Sequence, residues 1–219
     1  MSTTTPHPAS PALTRVEPTV GLFAAAALAA PVFLVVATVQ ILARDGFDLT
    51  EHPLSLLSTG DWGWVQIANF VVTGLLVLAF AVGLRRRFAL GRAGTWGPIL
   101  FGLLGVGLVA AGVFVADPSD GFPPGSGLIT DATWHGTAHN VVAALATDPA
   151  AIGCLVLARR FSADRDRRWA VVSVATALVV LVLGWWPDAD SISVRLAGVV
   201  ALLLAYISAT ALRLGRAPE

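Results

Sequence analysis

Six stretches of this chain are too long and too apolar to be anything but membrane helices. Crossing roughly 30 Å of hydrocarbon at 1.5 Å per residue takes about 20 mostly apolar residues. Residues 20–43, 64–84, 96–116, 135–158, 169–186 and 193–212 each supply such a run. Backbone N–H and C=O groups find no water inside lipid, so runs of this length must satisfy themselves as helices. The predicted fold is therefore all-α: a polytopic bundle of six transmembrane helices.

Composition excludes the soluble alternative. Of the 219 residues, 56% are hydrophobic and 13% charged, where soluble domains carry roughly 25% charged residues. The mean hydropathy is +0.76. Residues 20–213 form one predicted membrane domain, leaving too little chain for a second folded unit. Residues 1–19, polar and rich in Pro and Thr, read as a disordered cytoplasmic tail, and residues 214–219 as a short second one. The first apolar run exceeds a signal-peptide core and lacks a cleavage site, so it is expected to persist as an anchor.

The formal net charge is zero, which hides a strong asymmetry. All 14 basic residues are arginine. Twelve fall on one side of the predicted membrane: Arg15, Arg85, Arg86, Arg87, Arg92, Arg159, Arg160, Arg165, Arg167, Arg168, Arg213 and Arg216. Only Arg44 and Arg195 fall on the other, together with Asp45, Asp48, Glu51, Asp61, Asp117, Asp120, Asp131, Asp188 and Asp190. Basic loops stay inside, so both termini are predicted to be cytoplasmic. Tryptophans mark the two interfaces: Trp62, Trp64, Trp134, Trp185 and Trp186 on the outer side, Trp96 and Trp169 on the inner. Arginine without lysine, in an Ala-, Gly- and Val-rich chain, suggests a GC-rich bacterial genome and hence a multi-pass protein of a bacterial cytoplasmic membrane. Topology and anionic lipid account for the arginines. No nucleic-acid module, Walker loop or dinucleotide fingerprint is present, so membrane lipids are the expected partners and nucleic acid is not.

Small residues supply the packing code. The third helix carries Gly102, Gly105, Gly107, Ala111 and Gly112, and the sixth carries Ala197, Ala201, Ala205 and Ala209 along one stripe. Such surfaces let helix backbones approach closely, either within the chain or, for the alanine stripe, between two copies of it.

Chemistry, if any, is expected at the outer face. His135 and His139 are four apart on one helix face. Such a pair can hold a divalent metal such as zinc, or a haem-like group, if further ligands converge. His52 and Asp117 are the nearest candidates, with Asp131 a further one. The plain alternative is two interfacial histidines bonded to loop carbonyls, since the spacing lacks the glutamate of a metalloprotease helix. Asp117, before Pro118, is expected at a helix C-terminus, where the dipole disfavours a carboxylate. A metal, a protonated histidine, Arg44 or Arg195 would ease it there. Ser55 and Ser58 are candidate nucleophiles without a nucleophile elbow around them. Loop residues 54–57, LSLL, suggest a short interfacial helix or a re-entrant dip. The lone cysteine, Cys154, excludes an internal disulfide and a cysteine-based metal site.

Asp148, mid-way along the fourth helix, is the residue most costly to place. A charge at the bilayer centre costs about 2.5–3.5 kcal/mol on insertion scales. Either it serves proton or ion movement, or Asp148 or Thr147 caps a second half-helix that begins at Pro149. On an ideal helix Asp148 points away from His139.

The segments HPLSLLSTGDWGWVQIANFVVTGLL, GLRRR, GVGLVAAGVFVADP and HGTAHNVVAALATDPAAIG together resemble the membrane-protein family catalogued as domain of unknown function 998. The resemblance covers about residues 21–212. It implies the six-helix topology and matches the family pattern at Ser55, Gly74, Asp117, Pro118, His139 and Pro149. His135 and Asp148 look particular to this chain. The resemblance implies no activity, substrate or cofactor. Three readings remain open. The first is a non-catalytic membrane protein acting structurally or on lipid or protein partners. The second is a lipid-modifying or hydrolytic enzyme using His139, Asp117 and possibly His135, His52 or Ser55, around a metal or as acid and base. The third is a small proton-coupled transporter using Asp148 at a broken helix.

Overall fold

The computed structural model describes residues 18–127 and 131–216. Of the tails expected at residues 1–19 and 214–219, residues 1–17 and 217–219 lie outside that range, while residues 18 and 19 already belong to the first helix. Helices α1 (Pro18–Ala26) and α2 (Ala29–Ala43) form the first span. They are followed by α3 (Gly63–Phe88), α4 (Gly91–Val113), α5 (Trp134–Ala163), α6 (Arg167–Trp185) and α7 (Ile192–Leu214). Among the described residues six spans are long and apolar enough to cross a membrane. The fold is all-helical, as the apolar runs require. Each span packs beside its neighbours in sequence, and α7 returns against α1 and α2, closing the ring.

The first span is not the single helix expected over residues 20–43. Pro31 has no N–H to give the carbonyl four residues earlier, and the helix breaks at Ala27 and Leu28. The N–H of Ala30, at the start of α2, donates to Ser208 Oγ of α7 at 3.0 Å. An unsatisfied donor would cost several kcal/mol in lipid, so this bond also ties the first span to the last.

The helices overrun the expected ends on the arginine-rich side. Arg85, Arg86 and Arg87 lie in the last turn of α3, and Arg160 in the last turn of α5. Cations there complement the helix dipole. Asp166 starts α6 by accepting from the backbone N–H of Trp169 at 3.2 Å, and Arg213 of α7 pairs with it at 2.8 Å.

The half of the bundle nearest the arginines is filled by rings. Phe23, Phe80, Phe101 and Tyr206 run across it from α1 through α3 and α4 to α7, with centroids 6.2, 5.1 and 6.3 Å apart. Gly83 allows this: a Cβ there would stand 2.9 Å from the Phe23 ring. Helices α3 and α4 meet backbone to backbone, since a Cβ on Gly74 would lie 2.7 Å from the Gly105 carbonyl oxygen. On α7, Ala197 and Ala201 are half-buried, while Ala205 and Ala209 are exposed. The alanine stripe thus leads from the interior to the outer surface.

The opposite, acidic end carries a folded cap. Leu54–Ser58 is a 3-10 turn, the short helix that LSLL suggests. Its Leu56 and Leu57 form a small core with Phe122 from the loop after α4. Arg44, just past α2, donates to the carbonyls of Leu57 at 2.5 Å and Thr59 at 2.6 Å. Its guanidinium lies 4.7 Å over the Phe122 ring.

Candidate functional site

Beneath the cap lies a cavity of about 430 Å³, bounded by α2, α3, α4, α5, α6 and α7. That is within the range of small-molecule sites, about 300–1,000 Å³. Its existence follows from side-chain size. Gly107 and Ala111 of α4, Ala143, Ala144 and Ala146 of α5, and Ala197 of α7 line it where larger residues would fill it. Pro53, Leu54 and Ser55 of the cap form its roof. Phe33, Phe70, Leu104, Leu108, Val180 and Val199 make most of its walls apolar. The polar groups come mainly from one helix: His139, Asn140, Thr147 and Asp148 of α5, joined by Ser55.

The cavity opens sideways. Helix α5 has 30 residues and α6 only 19, about 45 Å against about 28 Å at 1.5 Å per residue. At the arginine end α5 finishes beside the start of α6, so its other end stands well above the end of α6. Helices α5 and α7 barely touch. The exposed lining residues Asn140, Ala143, Ala144, Trp185, Ile192 and Leu196 frame the gap.

Length also relocates Asp148. Its position mid-way along α5 suggests the bilayer centre, but the short α6 ends at the same level, with Trp185 beside it. The Trp185 indole N–H donates to Asp148 Oδ1 at 3.4 Å. Trp185 is 73% exposed and belongs, with Trp186, to the aromatic class that collects at membrane interfaces. The expectation of a capped half-helix is corrected here: α5 runs unbroken through Pro149, and among the described residues neither Thr147 nor Asp148 side chain accepts a capping bond. Asp148 and His139 stand about a half-turn apart around α5, as their spacing predicts, and the cavity is wide enough that both line it.

His139 is 3% exposed. Its Nδ1 lies 2.7 Å from the Phe114 carbonyl and 3.2 Å from that of Ala111. Both partners are acceptors, so Nδ1 carries the proton and donates. Those carbonyls belong to the frayed end of α4, which stops at Val113, short of the predicted residue 116. In the neutral ring Nε2 is then a lone-pair acceptor. It has no hydrogen-bond partner among the described residues, and the ring lines the cavity.

The other expected site residues are placed elsewhere. Asp117 does not meet the unfavourable end of α4. It reaches the favourable start of α5, where its oxygens accept from Thr133 N–H at 2.8 Å and Thr133 Oγ at 2.5 Å. Thr133 Oγ in turn accepts from Gly136 N–H at 3.1 Å. Gly136 is glycine because a Cβ would run into the Asp117 carboxylate. Neither Arg44 nor Arg195 is its partner. Arg44 binds the cap, while Arg195 donates to the Leu183 carbonyl at 2.7 Å and to that of Asp188, closing the end of α6.

His52 is buried in the cap between Phe47 and Phe122. Its Nδ1 accepts from Asp48 N–H at 2.9 Å and its Nε2 donates to the Asp120 carbonyl at 2.8 Å, so both ring nitrogens are committed. His135 is exposed and lies against Trp134 at a tilt of 41°, with centroids 3.7 Å apart. The convergence of His52, His135, His139 and Asp117 on one metal is not what the geometry gives. Among the described residues no three His, Cys, Asp or Glu side chains gather as a metal-binding group. Loop carbonyls and a helix start hold these groups instead.

Sequence reasoning passed over Asn140, and it read Thr147 only as a cap and Trp185 only as an interface marker; all three share the cavity. It also passed over a buried amide ladder between α2 and α3. Gln40 Nε2 donates to Gln66 Oε1 at 2.8 Å, and Asn69 Nδ2 donates to the same oxygen and to the Phe33 carbonyl, both at 3.2 Å. The signal was present: Gln66, Asn69 and Thr73 recur at helical spacing on one face of an otherwise apolar span.

Fold and cavity together define the class: a multi-pass helical membrane protein whose bundle holds a side-opening chamber in one half. The chain belongs to the family described as protein of unknown function (DUF998), matched over residues 27–214. No curated protein and no solved structure matches the chain.

Proposed function

We infer that this protein holds an amphiphilic lipid in the chamber beneath its cap, as a non-catalytic lipid-interacting protein of a bacterial cytoplasmic membrane. The observation that carries the reading is the shape of the chamber. It is walled mainly by apolar side chains, polar along one helix, and open toward the bilayer where α6 falls short. An apolar chain enters such a space without leaving hydrocarbon, and its polar end meets the α5 strip. The arginine distribution supports an orientation with the arginine-rich end in the cytoplasm, which puts the chamber in the outer leaflet.

The test is photo-crosslinking with a phospholipid that carries a diazirine on its acyl chain. Labelling is expected on the α5 segment around Ala143–Thr147 and on the α7 segment around Ile192–Val200, and is expected to drop in Ala143→Trp, which fills the mouth. Labelling spread evenly over exposed positions such as Leu42 and Val106, unchanged by Ala143→Trp, would refute the reading.

A further inference from the structure

Two of the chamber's polar groups, Asp148 and His139, present acceptors to it, and Asp148 selects the ligand's head group. Asp148 brings a carboxylate whose single protein partner among the described residues is the Trp185 indole at 3.4 Å, the long end of a hydrogen bond. His139 turns its donor, Nδ1–H, to the α4 carbonyls, leaving Nε2 as an acceptor. Ser55, Asn140 and Thr147 can give or take a proton in a hydrogen bond. Among the described residues no arginine lines the chamber. The arginines at this end are held elsewhere, Arg44 on the Leu57 and Thr59 carbonyls and Arg195 on those of Leu183 and Asp188.

Resting on the lipid-binding reading above, we propose that the chamber selects an amphiphile whose head is a primary ammonium group, seated against Asp148. An ammonium offers three donors and a positive charge to a carboxylate whose one protein bond is long, while His139, nine residues earlier and about 13.5 Å along α5, is left to a polar group further up the chamber. An anionic head would face that carboxylate with no cation to offset it. Placement at the α6 end suits a charged head, because this is where interfacial tryptophans stand and the tail still reaches the apolar walls. Trp185 is thus both a neighbour of the head and a built-in reporter.

The test uses the full chain in discs of phosphatidylcholine. Three brominated probes share one C18 chain and differ in the head: amine, alcohol or carboxylic acid. Quenching by bromine is read as the part of the tryptophan signal that Trp185→Phe removes, at matched mole fraction in the membrane. The amine is expected to quench at about tenfold lower mole fraction than the acid, the worth of one charge-assisted hydrogen bond. In Asp148→Asn, which keeps an oxygen for the indole N–H, the gap is expected to close. Equal quenching by amine and acid in the parent, or a gap that persists in Asp148→Asn, would overturn the head-group assignment while leaving the lipid chamber standing. Equal quenching of parent and Ala143→Trp by all three probes would instead remove the chamber reading itself.

Discussion

The cap and the chamber beneath it both contain a nearly buried histidine, and they use it in opposite ways. In the cap, His52 has a partner on each ring nitrogen, Arg44 spans two loop carbonyls, and Phe122 fills the space between them. In the chamber, His139 is fixed by one nitrogen only, Asp148 has one long bond, and glycines and alanines leave the space open. Polar groups that hold a fold together consume each other's hydrogen-bonding capacity. Polar groups that remain free around an open apolar space are suited to a ligand. Of the two regions, only the second reads as a site.

The largest effect is expected where the cap is broken outright. Phe122→Ala empties the centre of the small core and removes the ring under Arg44, and should cost about 3–5 kcal/mol, read as a lower midpoint of thermal unfolding in detergent. His52→Ala should follow at about 1–3 kcal/mol, since it leaves the Asp48 N–H and the Asp120 carbonyl without partners. If His52→Ala were neutral, the contrast between the two histidines would be lost. Gly136→Ala tests the start of α5. Its Cβ meets the Asp117 carboxylate, an overpacking expected to cost about 1–3 kcal/mol, and adding Asp117→Ala should recover part of it by removing the obstacle.

The chamber should answer differently. Ala143→Trp lies at an exposed mouth and should alter stability by no more than about 0.5 kcal/mol, while displacing bound lipid. A large loss of stability would mean that the mouth is a packed interface. The smallest expected effect is at the arginine end. Burial alone would raise the Asp166 carboxyl, but the hydrogen bonds from Arg213 and from the Trp169 N–H outweigh it and hold the group below the ordinary carboxylate value. Its contribution to stability is therefore present above that ordinary value, about 3.9, and is lost as pH falls through the lowered one. Arg213→Ala should shrink this acid-side loss, measured as the pH dependence of the unfolding midpoint.

Most of the fold is legible in the sequence because the bilayer imposes it. Apolar length demands a helix, and the six spans stand within a few residues of where hydropathy puts them. The break at Ala27 was marked by Pro31, but Pro149 looks the same in sequence and leaves α5 unbroken. Which proline interrupts a span depends on neighbours such as Ser208, which takes up the freed N–H at the first break. The site was legible only in its parts. His139 and Ser55 were visible as polar residues at the outer end, and Asp148 as one mid-way along the fourth helix. That they line one chamber depends on the helix order and on α6 being short, whereas His52 and Asp117 are drawn off by the Asp120 carbonyl and the start of α5. Distance along the chain does not reveal which carbonyl a histidine will find.

Native mass spectrometry of the chain released from lipid discs tests the central claim most directly. The account predicts one amphiphile retained per parent chain after exchangeable surface lipid has been stripped, and none on a folded Ala143→Trp variant. Equal retention by the two proteins, or no retained lipid on the parent, would contradict it.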